Sequence, residues 1–235
     1  AVLVAVIHAC AGEWWANVLL ALLTDGAAAA ACVVAAAMLG AAMLAAARID
    51  ADGDLRLVTS AGLGLGAHSL AALALGLCGL LNRWTALALP ALSVLAWWAT
   101  GGARRLGAAD VGEWLRRPAG WGWLWLAAVP LLAIAVIGAS IVPGFLWKPY
   151  DPHPYDVMEY HLQVPREWYE AGRIEPLLHN VYSFFPGQVE MQYLLAMHLR
   201  GGPWAAMYQA QFTNVVLAIL AAVAAAAIAR RQGAG

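Results

Sequence analysis

Lys148-Pro-Tyr-Asp151-Pro-His153-Pro-Tyr155-Asp156-Val-Met-Glu159-Tyr160-His161-Leu162-Gln163 opens the one long polar interval in an otherwise apolar chain. The interval continues through Arg173 and the Phe184-Phe-Pro-Gly-Gln-Val-Glu190 segment to Gly202. Prolines fix φ and push their neighbours away from helix, so Lys148 to Pro154 reads as rigid, extended chain. Asp156 with Glu159 three residues on reads as a capping box, predicting a helix from Asp156 to about Ala171. Gly172 is its stop, and Pro165 should bend it or split it in two. At 100° per residue, Asp156, Glu159, Gln163, Arg166, Glu167 and Glu170 share a polar arc. Val157, His161, Val164 and Trp168 lie opposite, so this helix should rest on the bilayer interface or on a helix bundle. A second helix is expected from Pro186-Gly187 to Leu199, broken by Gly201-Gly202-Pro203.

The sequence outside this interval sets the class. Hydrophobic residues make up 63% and charged residues 11% of the chain, against about 25% charged in soluble domains. Mean hydropathy is +0.69. Such a chain belongs in a lipid bilayer as an all-α, polytopic helix bundle. A net charge of −1 gives no footprint for nucleic acid. Cys10, Cys32 and Cys78 stand singly inside apolar runs, without metal or disulfide spacing. No basic region precedes the first apolar run, which argues against a signal peptide, and the chain reads as a piece of a longer protein.

A crossing helix needs about 20 apolar residues. Six spans are predicted: Val2 to Leu23, Gly26 to Ala47, Leu57 to Leu81, Trp84 to Ala99, Trp121 to Trp147 and Trp204 to Ala229. Five of them fall in residues 1–147. The interval 148–202 is then a loop, and residues 203–235 carry the last span, ending at Arg230-Arg231. Arginines crowd the Arg48 to Arg56 turn, the 101–120 connection (Arg104, Arg105, Arg116, Arg117) and the last helix end. Alternation puts all three on one side, which the charge bias makes cytoplasmic. The first terminus falls on that side too, and the Asn82-Arg83 turn and the 148–202 loop fall outside. Gly62-Leu-Gly64-Leu-Gly66 lies inside an apolar span without a preceding strand. It is therefore no phosphate loop, and its small residues allow close helix packing.

Several loop residues invite chemistry. Asp151, His153, Asp156 and His161 are the types that ligate divalent ions, but their spacing matches no specific site, and no cofactor is expected. Glu190 lies in an otherwise apolar helix, and a buried carboxylate there needs a partner. Glu13 and His68 are ionisable groups within spans, where such groups mark function, although Glu13 beside Trp14-Trp15 also suits an interface position.

Tyr155-Asp156, then Tyr160-His161-Leu162, Pro165, Trp168 and Gly172-Arg-Ile resemble the bacterial membrane glycosyltransferases of the GT-C superfamily. The likeness is to the protein O-mannosyltransferase-like and lipid A aminoarabinose transferase-like enzymes. Ser183-Phe-Phe-Pro-Gly-Gln-Val-Glu190 is similar to the family segment that returns to the membrane, and the likeness covers roughly Trp121 to Arg231. It implies an inner-membrane enzyme whose extracytoplasmic loop meets a polyprenyl-phosphate-linked sugar and an acceptor of unspecified identity. It also implies an acidic catalytic residue in that loop. Here that residue is Asp156, with Glu159 the next candidate. Tyr160, His161, Arg166, Glu190 and Lys148 are the substrate-binding candidates around them. Many relatives carry two adjacent acidic residues after a first span; here Asp156 and Glu159 are separated and about four spans precede the loop. Two other readings stay open. In one, a transporter or flippase has Glu13, His68 and Gln209 lining a path. In the other, a non-catalytic assembly subunit uses the loop for docking.

Overall fold

The computed structural model describes residues 2–50, 53–101, 125–143 and 156–232. Among these the regular structure is helix, with no strand. Helix α1 (Val2–Ala11) ends at Gly12, whose φ of +55° breaks the helix. A 3-10 turn, Gly12–Trp14, leads into α2 (Trp15–Ala21), a π-turn (Leu22–Gly26) and α3 (Ala27–Ala46). Then follow α4 (Gly53–Leu77), α5 (Arg83–Ala99), α6 (Trp125–Ala139), α7 (Gln163–Ala171), α8 (Gln188–Arg200) and α9 (Pro203–Arg231).

Three stretches are long and apolar enough to cross a membrane: Val2–Ala46, Leu55–Leu77 and Pro203–Arg231. The expectation of six spans is corrected at its start. Val2 to Leu23 and Gly26 to Ala47 are not two crossings joined by a reversal. Thr24-Asp25-Gly26 looks like a polar break, but the helix continues through it as one π-turn. Trp15 to Ala46 thus forms one helix, roughly 48 Å long at 1.5 Å per residue. Asp25 is tolerated inside because it is paired: its Oδ1 accepts from Arg200 Nη2 at 2.8 Å, and its Oδ2 accepts from Thr24 Oγ1 at 2.9 Å. The 17-residue α5 contains Pro90 and the 15-residue α6 contains Pro130; both fall short of a full span among the described residues.

Close packing of α3 on α4 organises the bundle. A Cβ on Gly64 would sit 1.6 Å from the Ala36 carbonyl oxygen, and one on Gly40 1.8 Å from that of Ser60. Only glycine lets the two backbones approach this closely. Of the glycines read from the sequence, Gly64 makes the approach, whereas a Cβ on Gly62 would meet nothing. Asn82 caps α5, accepting from the Trp84 and Thr85 amides while its own amide donates to Thr85 Oγ1. A second apolar cluster joins α1, α2, α3, α6 and α9 through Ile7, Val18, Ala29, Val136 and Phe212.

The polar interval folds back onto this bundle. Val164 and Trp168 of α7 are buried with Ala72, Leu81, Ala86 and Leu194, so its apolar face rests on helices. Helix α8 goes deeper, its residues Tyr193 to His198 being buried. Gln192 Nε2 donates to the Leu65 carbonyl and to Ser69 Oγ, and Ser69 Oγ donates to the Gln188 carbonyl. The Ile174 amide donates to the Gly76 carbonyl at 2.9 Å. These bonds hold the interval along the second half of α4, from Leu65 to Gly76, and the Asp25–Arg200 pair ties its far end to the π-turn Leu22–Gly26.

Candidate functional site

The expected capping box at Asp156 does not form. An N-cap residue has extended dihedrals, whereas Asp156 is already helical at φ −61°, ψ −39°, and its side chain makes no capping bond. A π-turn, Val157–His161, follows, closed by the Leu162 amide on the Val157 carbonyl. The predicted single helix is therefore split at Leu162, with Pro165 in the first turn of α7 where its missing N–H costs little. Gly172 terminates α7 in the left-handed conformation at φ 69°, as its position predicts.

The π-turn brings Tyr160 and His161 to the inner face. Their ring centroids are 4.1 Å apart. Tyr160 stacks on Tyr182 at 4.8 Å, and Phe185 meets Tyr160 and Tyr182 edge-on at 6.4 and 5.2 Å. His161 Nδ1 lies 2.6 Å from Glu190 Oε1. This is the partner that a buried Glu190 demanded. Burial pushes the Tyr160 phenol above its ordinary range, and the nearby Asp156, Glu190 and Tyr182 charges push the same way. Asp156 itself is exposed.

Glu159 belongs to a different face. Its carbonyl accepts from Asn180 Nδ2 at 2.6 Å, and the residue lines an open cleft of about 470 Å³. Gln163, Glu167, His179, Asn180 and Tyr182 line the same cleft. Glu167 accepts from Gln163 Nε2 at 2.8 Å through one oxygen and lies 2.9 Å from His179 Nε2 through the other. Glu159 lines this cleft and Asp156, which the sequence placed on the same arc, does not; Asp156 lies close enough to Tyr160 to act on its phenol. His179, Asn180 and Tyr182 were not singled out from sequence, and Glu167 was read only as part of the polar arc. No local spacing marks them, because their partners Glu167, Glu159 and Tyr160 lie 12, 21 and 22 residues away on another turn of chain.

Arg166 does not turn toward Asp156. Its Nε donates to Glu170 Oε1 at 2.8 Å, and its guanidinium lies over the Trp204 ring at 5.3 Å. Lys148, Asp151 and His153 lie outside the described residues. Among the described residues no three His, Cys, Asp or Glu side chains are grouped to hold a metal ion. Behind the aromatic stack, Tyr193 donates to Asn214 Oδ1 at 2.7 Å, and burial first, with Glu190 nearby, pushes its phenol up to about 12. Burial also lowers the pKa of His198, whose ring packs on Tyr169.

Among the described residues, these features define a helical chain with three stretches long and apolar enough to cross a membrane and a polar segment folded onto them. Set against protein-family models, curated proteins and solved structures, the chain matches none of them.

Proposed function

We propose that this chain is the donor-side portion of a membrane glycosyltransferase. It moves a sugar from a polyprenyl-phosphate carrier to an acceptor hydroxyl on the extracytoplasmic side of a bacterial inner membrane. The observation that carries this reading is the His161–Glu190 pair beside the Tyr160–Tyr182–Phe185 rings, next to Asp156 and at one end of apolar helices. Flat aromatic faces suit the C–H face of a sugar ring, and a carboxylate beside them suits its hydroxyls.

The chemistry follows from these groups. Asp156 accepts the proton of the acceptor hydroxyl as that oxygen bonds to the anomeric carbon. The bond from that carbon to the phosphate oxygen breaks, and the carrier phosphate leaves with the electron pair. Its charge calls for donors. The His161 ring can supply one through an N–H, and Lys148 and Arg166 are cations of the same segment. Glu159, lining the open cleft with His179 and Glu167, is placed toward the acceptor in this proposal.

Sidedness is part of the proposal. The polar segment packs along the second half of α4, as far as Gly76, and Arg56 lies in the first turn of that helix, at the other end. The charge bias favours the arginine-rich end as cytoplasmic. The test is transfer from a polyprenyl-phosphate sugar by the full-length protein. Asp156→Asn should lower the rate by about 100-fold or more, the scale of general base catalysis, with Glu159→Gln less affected. Full activity in both variants overturns the reading.

A second reading, a transporter, is favoured by one observation: His68 and Gln209 line a common cavity inside the bundle. Glu13, the third residue of that reading, lies apart from them in the exposed Gly12–Trp14 turn.

A further inference from the structure

The cavity between α3, α4, α5, α8 and α9 has room for one water-sized group, at about 20 Å³. Cys32, His68, Ala86, Pro90, Gln192 and Gln209 lie on its wall. Gln209 is 2% exposed. Its Nε2 points at Cys32 Sγ, 3.6 Å away, while its Oε1 is buried without a partner. A buried amide oxygen left this way is costly unless something donates to it.

The wall offers that oxygen almost no donor. Gln192 Nε2 is engaged by the Leu65 carbonyl and Ser69 Oγ. The Thr213 hydroxyl donates to the Gln209 carbonyl. The Ser93 hydroxyl donates its only proton to the Leu89 carbonyl at 2.7 Å, so His68 Nε2, 2.8 Å from Ser93 Oγ, must be the donor in that contact. A neutral His68 then keeps Nδ1 as an acceptor. Pro90 has no N–H, so the Ala86 carbonyl lacks the helix donor four residues on. Acceptors outnumber donors around the space, and the Cys32 S–H is a weak donor.

We infer that the cavity is a binding site for one small hydrogen-bond donor with a single heavy atom, a water molecule or an ammonium ion, held by Gln209 Oε1. The cavity shares no lining residue with the His161–Glu190 pair, the aromatic stack or Asp156, so its test reads occupancy and stability rather than activity. Ser60 provides the control. Its Oγ is the other buried side-chain atom without a partner among the described residues, and it lies at the Gly40 crossing, outside the cavity.

In thermal unfolding of the full chain in detergent, Ser60→Ala should leave Tm unchanged or raise it, because it deletes an unsatisfied group. Gln209→Met, of similar volume, should lower Tm by several degrees, because it ejects a bound donor. An experimental map should show density in the wild-type cavity and none in Gln209→Met. Raising ammonium chloride at constant ionic strength against sodium chloride separates the two sources. A Tm that climbs with ammonium identifies the ion, and no response identifies water. A Tm for Gln209→Met equal to or above wild type, or an empty wild-type cavity at a resolution that shows waters, overturns the inference.

Discussion

A double-mutant cycle on His161 and Glu190 tests the polar pair at the centre of the candidate site. The Glu190 side chain is 12% exposed and that of His161 41%, so the pair is neither fully buried nor a surface pair. A hydrogen bond to a charged group contributes about 1.5–3 kcal/mol, and exposed ion pairs about 0–1 kcal/mol. The half-exposed histidine places the coupling between these, at about 1–2 kcal/mol. The single variants should differ in kind. His161→Ala strands a nearly buried carboxylate and should cost about 2–3 kcal/mol. Glu190→Leu removes the charge together with its need for a partner. The double variant should therefore be more stable than His161→Ala alone. Urea unfolding followed by tryptophan fluorescence in detergent measures all four proteins. Coupling below about 0.5 kcal/mol, the limit of simple additivity, would refute the pair as an energetic unit.

Other outcomes follow from the packing and the titrating groups. Gly64→Ala should destabilise by about 3 kcal/mol or more, since its Cβ meets the Ala36 carbonyl at 1.6 Å and backbone must move; Gly62→Ala, with nothing near its Cβ, should be neutral or gain up to about 1 kcal/mol in the same unfolding assay. Asp25→Ala should lower stability by about 1–3 kcal/mol by leaving Arg200 without its buried partner, and Arg200→Gln should do so through the stranded Asp25. His198 has a lowered pKa in the fold, so the unfolded chain binds its proton first as pH falls; stability is full above about pH 6.5 and declines below it, and His198→Gln should flatten that slope in a Tm–pH series. Tyr193, raised to about 12, acts in the opposite sense: stability is full below pH 10 and declines from there toward 12, a slope that Tyr193→Phe should remove.

The sequence was most readable where one residue type answers one local geometry. Gly172 and Gly201 take left-handed φ at the ends of α7 and α8, and Pro203 opens α9 at its first turn. Glu190 announced a partner because a carboxylate among apolar neighbours cannot stand alone. Local patterns failed where a distant residue changes what a polar group means. Thr24-Asp25-Gly26 reads as the end of a span until Arg200, 175 residues on, neutralises Asp25 inside a continuous helix. Asp156 and Glu159 satisfy the spacing of a capping box, yet Asp156 is already helical and makes no capping bond, and Glu159 lines the open cleft. The His179–Glu167 contact had no signal at all, since histidine in a polar loop carries no periodicity.

Removing the reversal at Leu22–Gly26 takes one crossing away, and the consequence is uneven. Under the proposed sidedness, the first terminus would then fall on the side of the polar segment. If α4, α5, α6 and α9 alternate, every connection after Ala46 keeps its side, so the arginine-bearing ends remain together, opposite the candidate site. Cys78 makes this testable without introducing a residue. It is exposed, one residue beyond α4, and Gly76 two residues before it bonds Ile174 of the polar segment. In a variant with Cys10→Ala and Cys32→Ala, Cys78 is the only thiol. A membrane-impermeant maleimide added to intact bacterial cells stripped of their outer membrane should label it. Labelling only in inverted vesicles would put Asp156 on the cytoplasmic side. An acceptor outside the membrane could not reach it there, and the proposed transfer would have no site.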